Sequence, residues 1–471
     1  MKHSAAKDDY QLIYQLDGRP RLRVAIPLGL QHILSMFVGN LAPVFILTGA
    51  LSSGGVQFPP ELRVLMIQCA MLMAGLVTLV QLYPIKLGII QIGARLPIVA
   101  GTAFAFVPTF QSIGERLAAE QIPPTEAMGF ILGGVVAGSF AEIIFGIFLK
   151  PLRRLFPPLV VGSVLITIGI SLLGTGAMYF VGGANAADAG SPQYWLVGGC
   201  VFLVTVILNR YGQGMWKATA LLIGIVVGYI LAACVGMVNF GAITGAAWVS
   251  IPMPMNEALM PHYRLDVILP IAAIYVVSAL ESLGNTNGIT VAALDREATA
   301  DECSGSILAD GVGSFFAGFY NILPNTAFGQ NAGIVAMTKV VNRFCIATGA
   351  IILILAAFIP KIGALFSAMP NCVMGGAVIT VFAMIMHNGI KMICLAGFSE
   401  HNNLIFAITF GMGYGVSLLS PAIKARFPEI LQIVFMDKIA AVCLVGAVAC
   451  LLFGDGRTSD PPKPKVEEEN S

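Results

Sequence analysis

The hydrophobic pattern of this chain consists of long apolar runs, each near the length of about 20 residues that crosses a bilayer core as a helix. The most apolar parts are Ile67–Leu82, Met128–Leu149, Leu159–Tyr179, Trp195–Leu208, Ala218–Val238, Phe344–Phe358 and Ile439–Phe453. Counting the weaker runs gives roughly fourteen segments by the same length criterion. The pattern predicts an all-α polytopic membrane protein with about 14 transmembrane segments. The polar start, Met1–Arg23, is too long for a cleavable signal and leads into a full-length span, so no signal sequence is expected.

Charge placement predicts the topology. Lys and Arg gather before the first span (Lys2, Lys7, Arg19, Arg21, Arg23) and between the fourth and fifth (Lys150, Arg153, Arg154). They recur at Arg210, Lys217, Lys339, Arg343 and Lys391, and in the tail at Arg457, Lys463 and Lys465. The alternate loops near Leu47–Glu61, Gln111–Glu126, Val181–Pro192 and Gly241–His262 are nearly free of them. By the positive-inside rule both termini face the cytoplasm and the number of spans is even. The tail after Gly454 is polar and acidic and is expected to be disordered.

Composition narrows the class. The 471 residues are 57% hydrophobic and 11% charged, with a mean hydropathy of +0.85. Soluble domains carry about 25% charged residues, so this chain cannot cover a water-facing surface. Nine cysteines form no CxxC pair and no Cys/His spacing suited to a metal. Most of them, such as Cys69, Cys200 and Cys443, lie in apolar runs, where cysteine acts as a small hydrophobe. Disulfides and structural zinc are not expected.

Two segments are unlike ordinary membrane helices. Leu96-Pro97-Ile98-Val99-Ala100-Gly101-Thr102-Ala103-Phe104 and Leu323-Pro324-Asn325-Thr326-Ala327-Phe328-Gly329-Gln330-Asn331 both carry Leu-Pro and then Thr-Ala-Phe. They lie about 225 residues apart, close to half the chain. Broken backbone is tolerated at membrane depth only where protein buries it or it lines a cavity. Paired interruptions in corresponding halves point to the binding site of an inverted-repeat transporter. A seven-plus-seven arrangement follows as the expectation.

Ionisable groups at membrane depth are costly and mark function. Glu281 follows two apolar turns and precedes the polar stretch Ser282-Leu283-Gly284-Asn285-Thr286. A low dielectric disfavours the ionised carboxylate, so such a group can take a proton or accept hydrogen bonds from a ligand N–H. Asp310 is either a second proton site or an anchor at a helix crossing. His32, on the first span, is either a structural donor or a functional group. Gln330 and Asn331 open a helix where unpaired N–H groups are exposed. Their carboxamides donate and accept, which suits a neutral planar heterocycle with alternating N–H and C=O edges. Phe104 and Phe328 offer ring faces for stacking or simply pack. Glu142, about two turns from Lys150, is either an ordinary structural acid or one that reaches toward the cytoplasmic interface, and has no functional reading. Asp437-Lys438 is read as an interfacial break before the last span.

These residues resemble the nucleobase–ascorbate transporter family. Its signature, Gln or Glu, then Asn-x-Gly and a later Thr, reads here Gln330-Asn331-Ala332-Gly333-Ile334-Val335-Ala336-Met337-Thr338-Lys339. The acid-bearing span looks like Glu281-Ser282-Leu283-Gly284, the next like Leu308-Ala309-Asp310-Gly311, and the first-span histidine falls on His32. The resemblance implies fourteen spans in two inverted halves. A core domain (20–150 and 264–358) would work against a gate domain (151–263 and 359–455), between a cytoplasmic segment (1–19) and a disordered tail (456–471). It implies that Glu281 and Gln330 bind the base edge, that Asn331 and Asn285 belong to the site, and that Ala103, Phe104, Phe328 and Gly329 offer backbone or ring contacts. Asp310 and His32 would tune protonation beside Glu281.

Gln330 is similar to purine-carrying members, whereas uracil carriers usually have Glu there. Asn285 departs from many xanthine carriers, which place Asp one turn after the acid; proton coupling is then concentrated on Glu281. The expected protein is a proton-coupled symporter for urate, xanthine or a related oxopurine, working by an elevator-type step. It would need no metal or other cofactor, would use a proton gradient rather than sodium, and would form a homodimer through the gate in a bacterial inner membrane, with no nucleic-acid partner. The alternatives are a uracil symporter of the same fold and an anion transporter of the sulfate-carrier type. No phosphate loop, metal set or Ser-His-Asp constellation supports an enzyme.

Overall fold

The computed structural model describes residues 11–52, 56–88, 90–149, 156–183, 186, 188–424, 426–428, 431–432, 435 and 437–453. Lys2, Lys7, Lys150, Arg153, Arg154 and the acidic tail lie outside the described residues.

The apolar runs form helices, and proline sets where many of them begin. In chain order these are α1 (Leu22–Leu51), α2 (Pro60–Leu82), α3 (Val107–Ala119), α4 (Pro124–Ile147), α5 (Pro158–Phe180), α6 (Pro192–Tyr211) and α7 (Ala220–Cys234). Then come α8 (Leu265–Leu294), α9 (Ala300–Phe319), α10 (Gly329–Thr338), α11 (Arg343–Ala357), α12 (Pro360–Ser367), α13 (Asn371–Ala396), α14 (Glu400–Ile408) and α15 (Lys438–Phe453). Pro60, Pro124, Pro158, Pro192 and Pro360 sit at helix starts, where the N–H that proline lacks has no intrahelical partner. Among the described residues, seven helices are long and apolar enough to cross a membrane, or eight if α11 and α12, bent by 80° at their junction, are counted as one broken span. The chain is a multi-pass membrane protein. Asp437 caps the start of α15, its Oδ1 accepting from the Ile439 and Ala440 N–H groups.

Four short strands accompany these helices. Strands β1 (Ile85–Leu87) and β2 (Ile90–Ile92) form a hairpin, while β3 (Ala100–Thr102) and β4 (Asn325–Ala327) pair with each other across the chain. Helix packing relies on small residues, since in lipid close backbone approach supplies the attraction. Along α4, a Cβ added at Gly134 would lie 2.4 Å from Ile271, at Gly138 3.1 Å from Tyr275 and at Gly146 2.9 Å from Leu308. Gly162 and Gly389 bring α5 and α13 together in the same way. Helix α4 packs on α8 and α9, α11 on α1 and α2, and α13 on α5 and α6. The N-terminal strap is fixed to the start of α11 by Asn342, whose Nδ2 donates to the Leu12 and Gln15 carbonyls.

Candidate functional site

The two Leu-Pro segments meet as an antiparallel pair with register Ala100–Ala327, Gly101–Thr326 and Thr102–Asn325. The ladder runs one bond further at each end, with Ala103 N donating to Pro324 O (2.8 Å) and Phe328 N to Val99 O (2.9 Å). Each broken span thus satisfies the other's backbone, as a low-dielectric setting demands. Side chains from neighbouring helices finish the work. The Ala100 N–H donates to Thr78 Oγ1 (3.0 Å), the Asn325 N–H to Ser314 Oγ (2.9 Å), and Asn40 Oδ1 accepts from the Thr102 N–H (2.8 Å).

Helix α8 lines β4 with a polar stripe. The Ser278 and Ser282 hydroxyls meet Thr326 Oγ1 at 3.4 and 3.2 Å, and Asn285 Nδ2 donates to Ala327 O at 2.8 Å. Asp310 of α9 is fully buried. Its carboxylate accepts from Gln81 Nε2 (3.0 Å), the Ala327 N–H (3.0 Å) and the Ser282 hydroxyl. Of the two roles left open by the sequence, this geometry has the form of the anchor: one carboxylate ties together α2, α8 and β4.

Asn331 is likewise engaged by protein. Its Nδ2 donates to Pro97 O (2.7 Å), so its Oδ1 is the acceptor for His32 Nδ1–H at 2.5 Å. Both side chains are buried. His32 therefore holds Asn331, and Asn331 holds the first Leu-Pro segment against α10.

Two side chains break the pattern. Among the described residues Glu281 and Gln330 make no side-chain hydrogen bond, Glu281 being half-buried and Gln330 exposed, and the buried Nδ2 groups of Asn40 and Asn325 also lack a partner. Glu281 stands one helical turn before Asn285 and so shares its face of α8. Asn285 Oδ1 lies 3.3 Å from where a Cβ on Gly329 would sit, which brings that face against the start of α10. No side chain caps α10 at Phe328, and the N–H groups of Gly329 and Gln330 have no partner among the described residues.

The aromatic rings sit behind this opening. Phe328 is wedged between glycines: Cβ atoms at Gly39 and Gly101 would fall 2.8 and 2.7 Å from its ring. Phe104 reaches the same Gly39 and meets Phe382 edge-on, with centroids 5.6 Å apart. Both rings and Ala103 are buried, and the N–H groups of Ala103 and Phe328 are taken by the ladder.

Glu142 corrects an expectation. It does not reach toward an interface: it is fully buried where α4 crosses α9, its Cβ 3.4 Å from the position of a Cβ on Gly311. The α4 surface at that turn faces other helices because small residues flank it, so a long acid cannot turn outward. Asn40, Gln81, Ser282 and Thr326 were not singled out by sequence reasoning. Their only signal is polarity inside apolar runs, which does not say what they bond. A polar cavity of about 310 Å³ lies apart from this centre, lined by residues including Gln111, Glu115, Thr175 and Lys438.

Comparison with known proteins gives the family. A family model described as a permease family matches residues 23–421. The nucleobase transporter PlUacP of Paenibacillus larvae is 30% identical over 92% of this chain and 95% of its own length. The xanthine permease XanQ of Escherichia coli is 30% identical, covering 94% and 93%, and the uric acid permease PucJ of Bacillus subtilis is 31% identical, covering 87% and 88%. In fold the chain is similar to murine Solute Carrier 26 family member A9, an anion transporter, with a TM-score of 0.63 at 12% identity over 91% of this chain and 68% of that one. That likeness shows the membrane-transporter fold alone. The chain thus belongs to the permease family of nucleobase–ascorbate transporters, and it is a transporter rather than an enzyme.

Proposed function

We propose that the opening between α8 and the start of α10 binds an oxopurine such as urate or xanthine, and that the chain imports it with protons. The observation that carries this reading is the pair of free polar side chains, Glu281 and Gln330, beside the unpartnered N–H groups of Gly329 and Gln330. A carboxylate accepts from ring N–H groups, while the carboxamide and the helix N–H groups serve ring carbonyls and acceptors. An oxopurine presents such edges in one plane. Of the relatives named above, XanQ and PucJ carry purines by their names and PlUacP a nucleobase, which supports the same substrate class.

Proton coupling is assigned to Glu281, the free acid of the site. Protonated, it donates to the base or stays neutral; deprotonated, it accepts. Asp310 and His32 hold the frame around it. The bodies expected to move are the group built on α1–α4 and α8–α11, which carries the site, and the group built on α5–α7 and α12–α15. Sliding of the first against the second would expose the site alternately. The same reading sets the protein in a bacterial inner membrane with both termini cytoplasmic, as a homodimer through the second group.

The test is uptake of radiolabelled xanthine or urate in a host lacking its own carriers, competed with hypoxanthine, guanine and uracil, with and without a protonophore. Uptake competed by oxopurines and stopped by the protonophore is expected. Uptake sustained by a sodium gradient alone, or competed by uracil but not by oxopurines, overturns the assignment.

A further inference from the structure

We propose that Glu142 is a second proton-carrying carboxyl group, standing behind the substrate site and exchanging its proton in each transport cycle without touching the base. The inference rests on the proton-coupled reading above and adds a site to it.

Helix α4 meets its neighbours along Gly134, Gly138, Glu142 and Gly146, every fourth position and so one face of the helix. The glycines permit close contact with Ile271 and Tyr275 of α8 and with Leu308 of α9. In the middle of this tight seam stands a glutamate, fully buried, whose two carboxyl oxygens make no hydrogen bond of good geometry among the described residues, the Ser278 hydroxyl being the one donor close enough to act on it. Opposite it, α9 carries Gly311, where an added Cβ would lie 3.1 Å from the Ile143 N and 3.4 Å from Glu142 Cβ. That glycine lets the residue next to Asp310 approach the acid directly.

The groups acting on Glu142 are Asp310 from α9, Glu281 and Tyr275 from α8, and the nearby Ser278 hydroxyl. No lysine or arginine is among them. The other ionisable groups near α4 stand at its two ends; at one, Glu302 in the first turn of α9 pairs with Arg296, and Ser304 of the same helix donates to Gly146 O. At the other, His262 lies against Gly129 and Gly133, and Arg116 pairs with Asp266 at the start of α8. An isolated carboxylate in such a place is costly, and three acids without a cation cannot all be charged together. A proton is the one counter-charge small enough for a seam this tight.

The link to transport is geometric. Asp310 is bonded to Ser282, the residue after Glu281, so charge appearing at Glu142 acts on the frame of the substrate site. In the loading step, a proton from the open side forms an O–H bond on the Glu142 carboxylate. In the unloading step that bond breaks, and the proton leaves to the opposite side. No other bond changes.

The experiment uses the full chain in proteoliposomes, with Glu142→Gln and Glu142→Asp compared with wild type. At equilibrium each coupled proton contributes a factor of ten in accumulation per unit of imposed pH gradient, about 1.4 kcal/mol. Glu142→Gln is expected to retain exchange of labelled base while its log accumulation rises less steeply with the gradient, by one in slope. Glu142→Asp, which keeps the carboxyl, should restore the slope. Infrared difference spectra of the purified proteins on adding base should show a carboxylic-acid band in wild type that Glu142→Gln lacks. Equal slopes, or equal spectra, in wild type and Glu142→Gln overturn the inference alone. A wild type indifferent to the pH gradient overturns the coupling reading and this inference with it.

Discussion

The two broken spans share a sequence pattern and pair strand to strand, yet they end differently. After β3 the chain continues through the buried Phe104-Ala105-Phe106 turn into α3, with Val107 and Pro108 at the helix start. Every side chain there is apolar and packed, and Pro108 has no N–H to offer. After β4 the chain enters α10 through Gly329 and Gln330, both exposed, with free N–H groups at the helix start. A shared scaffold therefore carries asymmetric chemistry: the first span supplies a partner for the ladder, and the second supplies the groups that a ligand can reach.

The largest effect should come from the one free acid on the second side. Glu281→Gln should cut accumulation of base more than any other change, because a carboxamide cannot bind and release a proton and the base loses its acceptor; uphill uptake at the wild-type level in a gradient-driven assay would remove Glu281 as the coupling group. Next is the anchor shared by both sides. Asp310→Ala strands the buried Ala327 N–H, at about 1–3 kcal/mol, and removes one acceptor each from Gln81 and Ser282, so thermal unfolding of the purified protein should fall below wild type. An unchanged melting temperature would refute the anchor.

A smaller effect is expected from crowding the first strand. A Cβ at Gly101 would lie 2.7 Å from the Phe328 ring and 2.9 Å from Asn40 Oδ1. Overpacking of this kind costs about 1–3 kcal/mol, so Gly101→Ala should slow uptake, while Gly288→Ala, where an added Cβ meets nothing, should not. Equal rates for the two would show that the first strand is not pinned to Phe328.

Gln330→Glu should change competition by about tenfold in favour of uracil, the scale of one good hydrogen bond gained or lost. An unaltered ranking of competitors would separate Gln330 from recognition. The smallest effect lies outside the spans. Arg264, hydrogen-bonded to Glu120, holds that carboxyl below the usual range. A depressed value means the pair stabilises the fold at neutral pH and loses that contribution as pH falls through the folded value. The pair is largely exposed, so Glu120→Gln should cost under about 1 kcal/mol at neutral pH and nothing in acid.

Much of this was legible in the sequence, for identifiable reasons. Apolar length fixes helices in a membrane because lipid offers the backbone no other partner, and the repeated Leu-Pro and Thr-Ala-Phe exposed the broken spans. Glu281 and Gln330 stood out as polar groups at membrane depth. The sequence could not show that Asn331 is occupied by His32 and Pro97 O, because those contacts join residues 299 and 234 positions apart. Nor did the distance from Lys150 turn Glu142 inward: Gly134, Gly138 and Gly146 mark its face of α4, but that Gly311 of α9 packs there is a long-range contact.

The measurement closest to the central claim is a structure of the protein with urate or xanthine bound. The base should lie between α8 and the start of α10, within hydrogen-bond distance of both the Glu281 carboxyl and the Gln330 carboxamide. A base seated elsewhere, for example in the cavity beside Gln111, Thr175 and Lys438, with Glu281 and Gln330 untouched, would contradict the account.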